Sequence, residues 1–427
     1  MLINRILPPK TQSVTKIKFP PVNKLKLSNG IPVFSIHVGK EDVVKIQLVF
    51  NAGIWYQSQV FQAFFTGNML IEGSQNFSAA EIAQKLDSCG AFVNHKVDHD
   101  NASVDIYTLN KHLSTVLALM ADVIKYPLFN ENELDRLREQ EIQAFMIRNQ
   151  KVKHIAQKQF SVLLFGENHP YGSNSTEQDY TNIKSEILKE FHSKYYKSDN
   201  CKIFISGKIE EATITLLNRF FGGEDWKGNI PILNPNYIAE SSNIPKHFIP
   251  KENVLQSAIR IGKRTIGKAH PDYFALSLTT TLLGGYFGSR LMSNIREDKG
   301  YTYGISAGIY THLNDNALII SSEVGSDVAQ KAIDEVRFEL KKLMTQKVNE
   351  EELKLVVNYM SGSFLRRLNG AFALGEIVRL LNEYNLPEDY YQDYLNHIHG
   401  INSEDVLNIA NQYLHEDSMI ELIVGKN

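Results

Sequence analysis

The chain has 427 residues, 43% of them hydrophobic, enough for two or more domains with sizeable cores. Its 45 basic and 48 acidic residues leave a formal net charge of −3, which gives no reason to expect nucleic acid or an anionic membrane as a partner. Two cysteines, Cys89 and Cys201, argue against a disulfide framework or a thiolate zinc site.

No stretch approaches the roughly 18 uninterrupted apolar residues of a membrane helix. The N-terminus meets Pro8 and Pro9 before any secretory apolar run can form. The expectation is a soluble, cytoplasmic protein, or a periplasmic one if the chain is a trimmed mature form.

Residues 1–24 are polar and punctuated by proline, and predict an arm lying along the surface. A first α+β domain is expected over 25–222. Residues 31–37 and 43–51 have strand character, and Gly39-Lys40-Glu41-Asp42 between them predicts a hairpin. A helix is expected over about 60–71, and another from Ser78, where Ser78 and Glu81 form a capping box ahead of Ile82 and Leu86. Strand alternation follows at 91–94 and 102–108, then Leu113, Val116, Leu117, Met120 and Ile124 recur at helical spacing. Residues 130–165 lack glycine and proline, which predicts one very long helix or two consecutive ones, capped by Asn130 and stopped at Gly166. His169-Pro170-Tyr171-Gly172 makes a turn, and a helix at 185–196, a strand at 201–206 and a helix through 216–221 complete the unit. Gly223, Gly228, Pro231, Pro235, Pro245 and Pro250 mark 223–250 as a linker with room for hinge motion.

The pattern then returns over 251–427. Phe129-Asn130-Glu131-Asn132-Glu133-Leu134 recurs 219 residues later as Val348-Asn349-Glu350-Glu351-Glu352-Leu353. Tyr195, Asp199, Gly207 and Lys208 recur 218 residues later as Tyr413, Asp417, Gly425 and Lys426. Two distant markers sharing nearly one offset imply two copies of one α+β unit of roughly 200 residues. Strand pairs alternate with helix pairs, so each copy is expected to be a mostly antiparallel sheet with helices packed on one face.

The densest stretch of the second copy is 282–304, LLGGYFGSRLMSNIREDKGYTYG. Gly284, Gly285 and Gly288 permit close backbone approach or positive φ. Ser289 is expected to cap a helix running through Leu291 and Ile295 to Gly300, with a strand after it. These residues resemble the second domain of pitrilysin/insulinase-type zinc peptidases, in the bacterial branch like mitochondrial processing peptidase, which carries a similar SRL…RE..GY.Y segment. The resemblance implies two homologous domains facing each other as a half-shell, and two half-shells enclosing a chamber. It also implies that Arg296 and Tyr303 reach across a cleft to substrate held at a zinc site in the other domain.

Catalytic members of that family carry H-x-x-E-H on the first helix and a further glutamate downstream. Histidines four apart share one helix face, and the glutamate beside them takes a proton from metal-bound water. Here the matching segment, 62–74, reads QAFFTGNMLIEGS. Phe64 and Asn68 stand at the histidine positions, Gly67 at the base, and Ala144 or Phe145 at the distal glutamate. Glu139 and Glu141 would need a shift of about one turn to substitute.

His95 and His99 with Asp98 and Asp100 offer another metal pattern, but on strands residues four apart lie about 13 Å from each other. A polar hairpin bend is expected there. His154 and His169 stand alone as surface or turn residues, and Cys89 is expected to be packed. The Gly284-Gly285-x-x-Gly288 step has no framing strand and acidic partner for a phosphate site, and gives backbone room instead.

By resemblance, then, the chain is a non-catalytic, substrate-binding subunit of a heterodimeric zinc metallopeptidase. It binds no cofactor itself, the zinc sits in a paralogous partner subunit, and peptides are the substrates. Tyr303 would donate its hydroxyl to the scissile carbonyl or oxyanion, and Arg296 would orient the substrate through its guanidinium fork. Two alternatives stay open: a structural or assembly core protein of the same fold, with Arg296 and Tyr303 as relics, and an active peptidase with unusual ligands.

Overall fold

In the computed structural model, residues 14, 16–172, 174–228 and 234–426 are described. The first half runs β1 (Asn23–Lys26), β2 (Pro32–His37), β3 (Val43–Phe50), α1 (Gln62–Met69), α2 (Ala79–Ser88), β4 (Phe92–Val97), β5 (Ala102–Leu109) and α3 (Leu113–Lys125). It continues through α4 (Glu131–Arg148), α5 (Val152–Phe165), α6 (Glu177–Thr181), α7 (Ser185–Tyr195), β6 (Cys201–Gly207) and α8 (Glu211–Phe221). The second half runs β7 (Lys246–Pro250), β8 (Gln256–Arg264), α9 (Tyr273–Thr280), β9 (Thr302–Thr311), β10 (Asn316–Gly325) and α10 (Ala329–Thr345). It ends with α11 (Glu350–Arg367), α12 (Ala371–Glu383), α13 (Tyr390–Gly400), α14 (Ser403–Tyr413) and β11 (Ile420–Gly425).

Caps set many of these boundaries. Ser78 and Glu81 close a capping box at α2. The repeated asparagines cap matching helices: Asn130 Oδ1 accepts from Asn132 N at 2.9 Å, and Asn349 Oδ1 from Glu352 N at 2.8 Å. The glycine-free run is two helices, and Gly166 ends the second at φ +92°.

The two sheets share one plan, β1-β2-β6-β3-β5-β4 and β7-β11-β8-β10-β9. Each has one parallel pair, β2 with β6 and β7 with β11, and is otherwise antiparallel. The hairpin expected between 31–37 and 43–51 does not form, because β6 slots between β2 and β3. β6 buries Ile203 and Ile205 toward one core and Phe204 toward another, so it needs a neighbour on each edge and a layer on each face.

The 223–250 stretch is less free than its composition implies. Trp226 is buried in the first core, and alternation in Lys246–Pro250 makes β7 the edge strand of the second sheet. Of the arm, residues 1–13 and 15 lie outside those described. Val14 O accepts from His399 Nε2 at 3.0 Å and Ile17 N donates to Gln392 Oε1 at 3.1 Å, while Phe19 and Val22 pack beside Ile36 of β2. The arm thus crosses from the second half to the first before β1 begins at Asn23.

Each half packs its own helices on one face of its sheet, the first around Ile46, Leu48 and Val104, the second around Ile259, Leu318 and Ile320. The opposite faces are covered by exchange. From the first half, α5 lays Ala156, Phe160 and Leu164 on Ala258 of β8 and Leu422 and Val424 of β11. From the second, α12 lays Leu374 and Val378 on Ile36, Val49 and Phe204. Gly375 lets α12 come this near, since a Cβ there would stand 2.5 Å from Ser206 Oγ.

A buried base marks each exchange. Lys45 on β3 is 2% exposed, bonds Glu376 of α12 and lies 3.4 Å from Asp105 of β5. Gln47 Nε2 donates to Glu376 Oε1 at 2.8 Å and to Asp105 Oδ1 at 3.1 Å. Arg260 on β8 is 5% exposed, and its Nη2 donates to Glu323 Oε1 of β10 at 3.2 Å and to Lys153 O of α5 at 3.4 Å. Lys153 Nζ closes that group, 3.4 Å from Glu323 Oε2. Burial opposes the charge on Lys45, yet its acidic partners raise its pKa above the ordinary value.

The turn after β4 adds a further link between halves. Asp100 accepts from Tyr171 Oη, from Leu313 N at 3.0 Å and from Asn314 Nδ2 at 3.2 Å.

Lys45→Met keeps the apolar stem but leaves Asp105 and Glu376 without their cation. It should lower unfolding stability by about 3 kcal/mol in urea titration. Glu376→Gln should cost less, because Asp105 still faces the ammonium; an unchanged urea midpoint for Lys45→Met would show that this group stabilises nothing.

Candidate functional site

Helix α1 carries the positions that the resemblance places at a metal. Phe64 is half-buried and meets Phe65 edge-on at 5.3 Å between ring centroids. Phe61 lies 3.9 Å from Tyr180, and Phe145 of α4 lies 5.4 Å from the same ring. The distal position is thus part of an aromatic cluster, and Lys158 Nζ sits 5.0 Å from the Phe145 ring centroid.

Asn68 Nδ2 donates to Phe64 O at 2.8 Å, and its Oδ1 pairs with His95 Nε2 at 3.1 Å. Gly67 is closed off, since a Cβ there would stand 2.5 Å from Val97 Cγ2. A glutamate has no room to point the same way. The Tyr196 hydroxyl lies 3.5 Å from that Cβ position, buried without a partner among the described residues, and desolvation pushes its pKa far up. Burial lowers the pKa of His95, which keeps the imidazole neutral.

One amide, one imidazole and a ring of hydrocarbon do not make a zinc site. Among the described residues, no group of three His, Cys, Asp or Glu side chains is placed to hold a metal. Glu141 pairs instead with Arg148 at 3.2 Å, and Glu139 is exposed.

The other lone residues find ordinary places, with one correction. His95 lies within β4 and His99 in the bend beyond it, its ring 4.5 Å from that of His312 in the second half. His154 is half-buried on α5, and Cys89 is buried as expected. His169, expected at the surface or in a turn, is in a turn but only 4% exposed. Trp55, Phe165 and Tyr171 enclose its ring, and its Nδ1 accepts from Tyr171 N at 3.1 Å.

In the second half α9 runs on into a π-helical turn, Thr281–Gly285, that breaks at Gly284. A Cβ on Gly284 would stand 2.6 Å from Ala307 N, so this glycine lets the helix end press against β9. Gly285 and Gly288 are tight only against the side chains of Thr281 and Tyr286, and none of the three has positive φ. Ser289 starts the next helix through its carbonyl, which accepts from Ser293 N at 2.9 Å. Its hydroxyl is buried and has no partner among the described residues, which corrects the expected side-chain cap. The following Arg290 grips Glu352 of α11 with two bonds of 2.8 and 2.9 Å. Gly300, at φ +67°, then turns the chain into β9.

β9 is the open edge of its sheet, and Tyr303 on it is 91% exposed. The Arg296 guanidinium lies 4.5 Å from the Phe287 ring centroid. Phe287 and Tyr303 line one groove of about 630 Å³, with Gly284, Gly285 and Ser306 on its floor and walls. Neither the Arg296 nor the Tyr303 side chain is engaged in an ion pair or hydrogen bond with another described residue. The groove therefore presents the Tyr303 phenol, and the Arg296 guanidinium lies beside it against Phe287.

Residues 33–165 match the insulinase family, peptidase family M16, and residues 182–360 match the peptidase M16 inactive domain. The chain belongs to peptidase family M16. An uncharacterized zinc protease of Bacillus subtilis is 24% identical over 366 residues, 84% of this chain and 87% of that protein. One from Rickettsia felis is 22% identical over 415 residues, 95% of this chain and 98% of that protein. A crystal structure of a peptidase M16 inactive domain from Pseudomonas fluorescens superimposes with a TM-score of 0.86 at 23% identity, covering 95% of this chain and 98% of that one. The M16 fold is thus shared along nearly the whole length. Among the described residues, no helix is long and apolar enough to cross a membrane.

His95 and Val97 lie within β4 and pack on α1, not in the polar bend expected there. Strand alternation carries the signal, because Val93, His95 and Val97 share one face of β4. Gly67→Ala should lower the melting temperature, as the clash with Val97 outweighs the roughly 1 kcal/mol of helix propensity gained. In a Val97→Ala background the same substitution should raise it. Destabilisation of equal size in both backgrounds would show that Val97 is not what closes this position.

Proposed function

We propose that this M16 chain is the non-catalytic, substrate-binding subunit of a heterodimeric zinc metallopeptidase, acting on peptides in a chamber shared with a zinc-carrying paralogous partner. The observation that carries the reading is the contrast between the halves. The α1 face is closed by Val97 at Gly67 and by the rings around Phe64 and Phe145, whereas Tyr303 stands exposed at an open groove and Arg296 lies against Phe287, which lines it. The relatives named zinc proteases support peptide hydrolysis as the chemistry this chain serves.

In this reading Tyr303, on a strand edge with its hydroxyl free, donates to the scissile carbonyl and holds the oxyanion that develops from it. Arg296 lies over the Phe287 ring and directs its fork at a backbone carbonyl or carboxylate of the peptide. The chain supplies position and hydrogen bonds, and the partner supplies the metal.

Affinity purification from the native source should recover a one-to-one partner bearing an intact H-x-x-E-H helix and one zinc per pair. In that complex Tyr303→Phe should lower turnover by about 10²-fold, while the isolated chain cleaves no peptide. Zinc-dependent cleavage by the repurified chain alone would overturn the proposal, and unchanged turnover of Tyr303→Phe would leave Tyr303 a structural residue.

A further inference from the structure

The caps at Asn130 and Asn349 make α11 the counterpart of α4, and α9 precedes it as α1 precedes α4. In the first half, rings fill the space between α1 and α4. In the second, a cavity of about 550 Å³ remains among α9, α11 and α13. That volume suits a small organic ligand.

Its walls are aromatic. Phe364 stacks on Tyr391 at 5.0 Å, and Phe274 meets Tyr394 at 5.5 Å. The hydroxyls of Tyr273, Tyr391 and Tyr394 find no hydrogen-bond partner among the described residues. Lys268, Arg366 and Arg367 also line the cavity, and no Asp or Glu does. In a chain with a formal net charge of −3, this is a local reversal of sign.

The positive charge is not neutralised nearby. Arg367 has no ion-pair partner among the described residues. Arg366 Nη2 donates to the neutral Ser363 hydroxyl at 2.8 Å. Lys268 donates to the Thr311 hydroxyl and lies 4.1 Å from the Tyr384 ring centroid, and neither removes its charge. Burial, followed by repulsion from Arg367, pushes the Lys268 ammonium down to about 8, as a cation short of a counter-charge requires.

We propose that this cavity binds a carboxylate carried on a flat apolar body, either a free aromatic acid or the C-terminal aromatic residue of a peptide. Arg367 and Lys268 meet the carboxylate, the phenol hydroxyls donate to it, and the tyrosine and phenylalanine rings stack on the body. Gly285 lines both this cavity and the Tyr303 groove, so the two lie next to each other. The inference stands apart from the subunit reading, since it concerns binding by this chain alone.

Isothermal titration of the full chain with N-acetyl-phenylalanine and with its neutral amide tests it. The acid should bind at least roughly tenfold more tightly than the amide, and Arg367→Gln should remove most of that difference. Both arginines are exposed, so folding should survive, which the melting temperature checks; Arg366→Gln serves as a second variant. Short peptides ending in phenylalanine, with free and amidated termini, separate the sources: discrimination between them points to peptide termini, and binding of the free acid alone points to a small molecule. Equal affinity for acid and amide, no binding of either, or acid affinity unchanged in both arginine variants would overturn the proposal.

Discussion

The exchange of α5 and α12 is the contact on which the rest of this M16 chain depends. Each sheet has a central strand covered on both faces, and each of those strands carries a buried cation, Lys45 on β3 and Arg260 on β8. A charge removed from water is tolerated only when it is paired and hydrogen-bonded. In both halves one acid comes from the next strand, and the helix lent by the other half adds a further partner, Glu376 to Lys45 and the Lys153 carbonyl to Arg260. Pulling the halves apart would expose the apolar backs of both sheets and strip each cation of part of its shell.

That arrangement decides which surfaces remain for function. With the backs of the sheets covered by exchanged helices, what remains are the sheet edges, β1 and β4 in the first half and β7 and β9 in the second, and the helical faces around α1 and α9. The Tyr303 groove lies at one of these edges, where a helix end is pressed against β9 by the lack of a side chain at Gly284. Tyr303 lies where the β9–β10 register shifts, between the Thr302–Val324 and Ile305–Ser322 pairs, and such an irregularity re-aims a side chain at a sheet edge.

The two halves share a topology and differ in what fills it. Between α1 and α4 the space is core, closed by Phe61, Phe145 and Tyr180, with an Asn68–His95 pair beside it. Between α9 and α11 the space stays open and positively charged. A duplicated fold thus devotes one copy to packing and leaves the other with the exposed polar groups, a division of labour set by side chains alone.

Much of this was determined by local sequence. The capping box at Ser78, the paired asparagine caps, the stops at Gly166 and Gly300 and the repeat offset near 219 gave the helices, most strands and the doubled plan, because caps, turns and periodicity act over a few residues. The residues standing where the resemblance expects ligands could be named for the same reason, as Phe64, Gly67 and Asn68 lie within one helical turn or so of each other. Only the tertiary structure decided that β6 divides the predicted hairpin, that β7 joins the second sheet from within an assumed linker, and that His169 is enclosed by rings. It also decided that Val97 occupies the space at Gly67 and that Lys268 and Arg367 share a cavity without an acid. Each of these joins residues tens to hundreds of positions apart, and no local pattern encodes which distant strand, helix or side chain will arrive to satisfy a buried face.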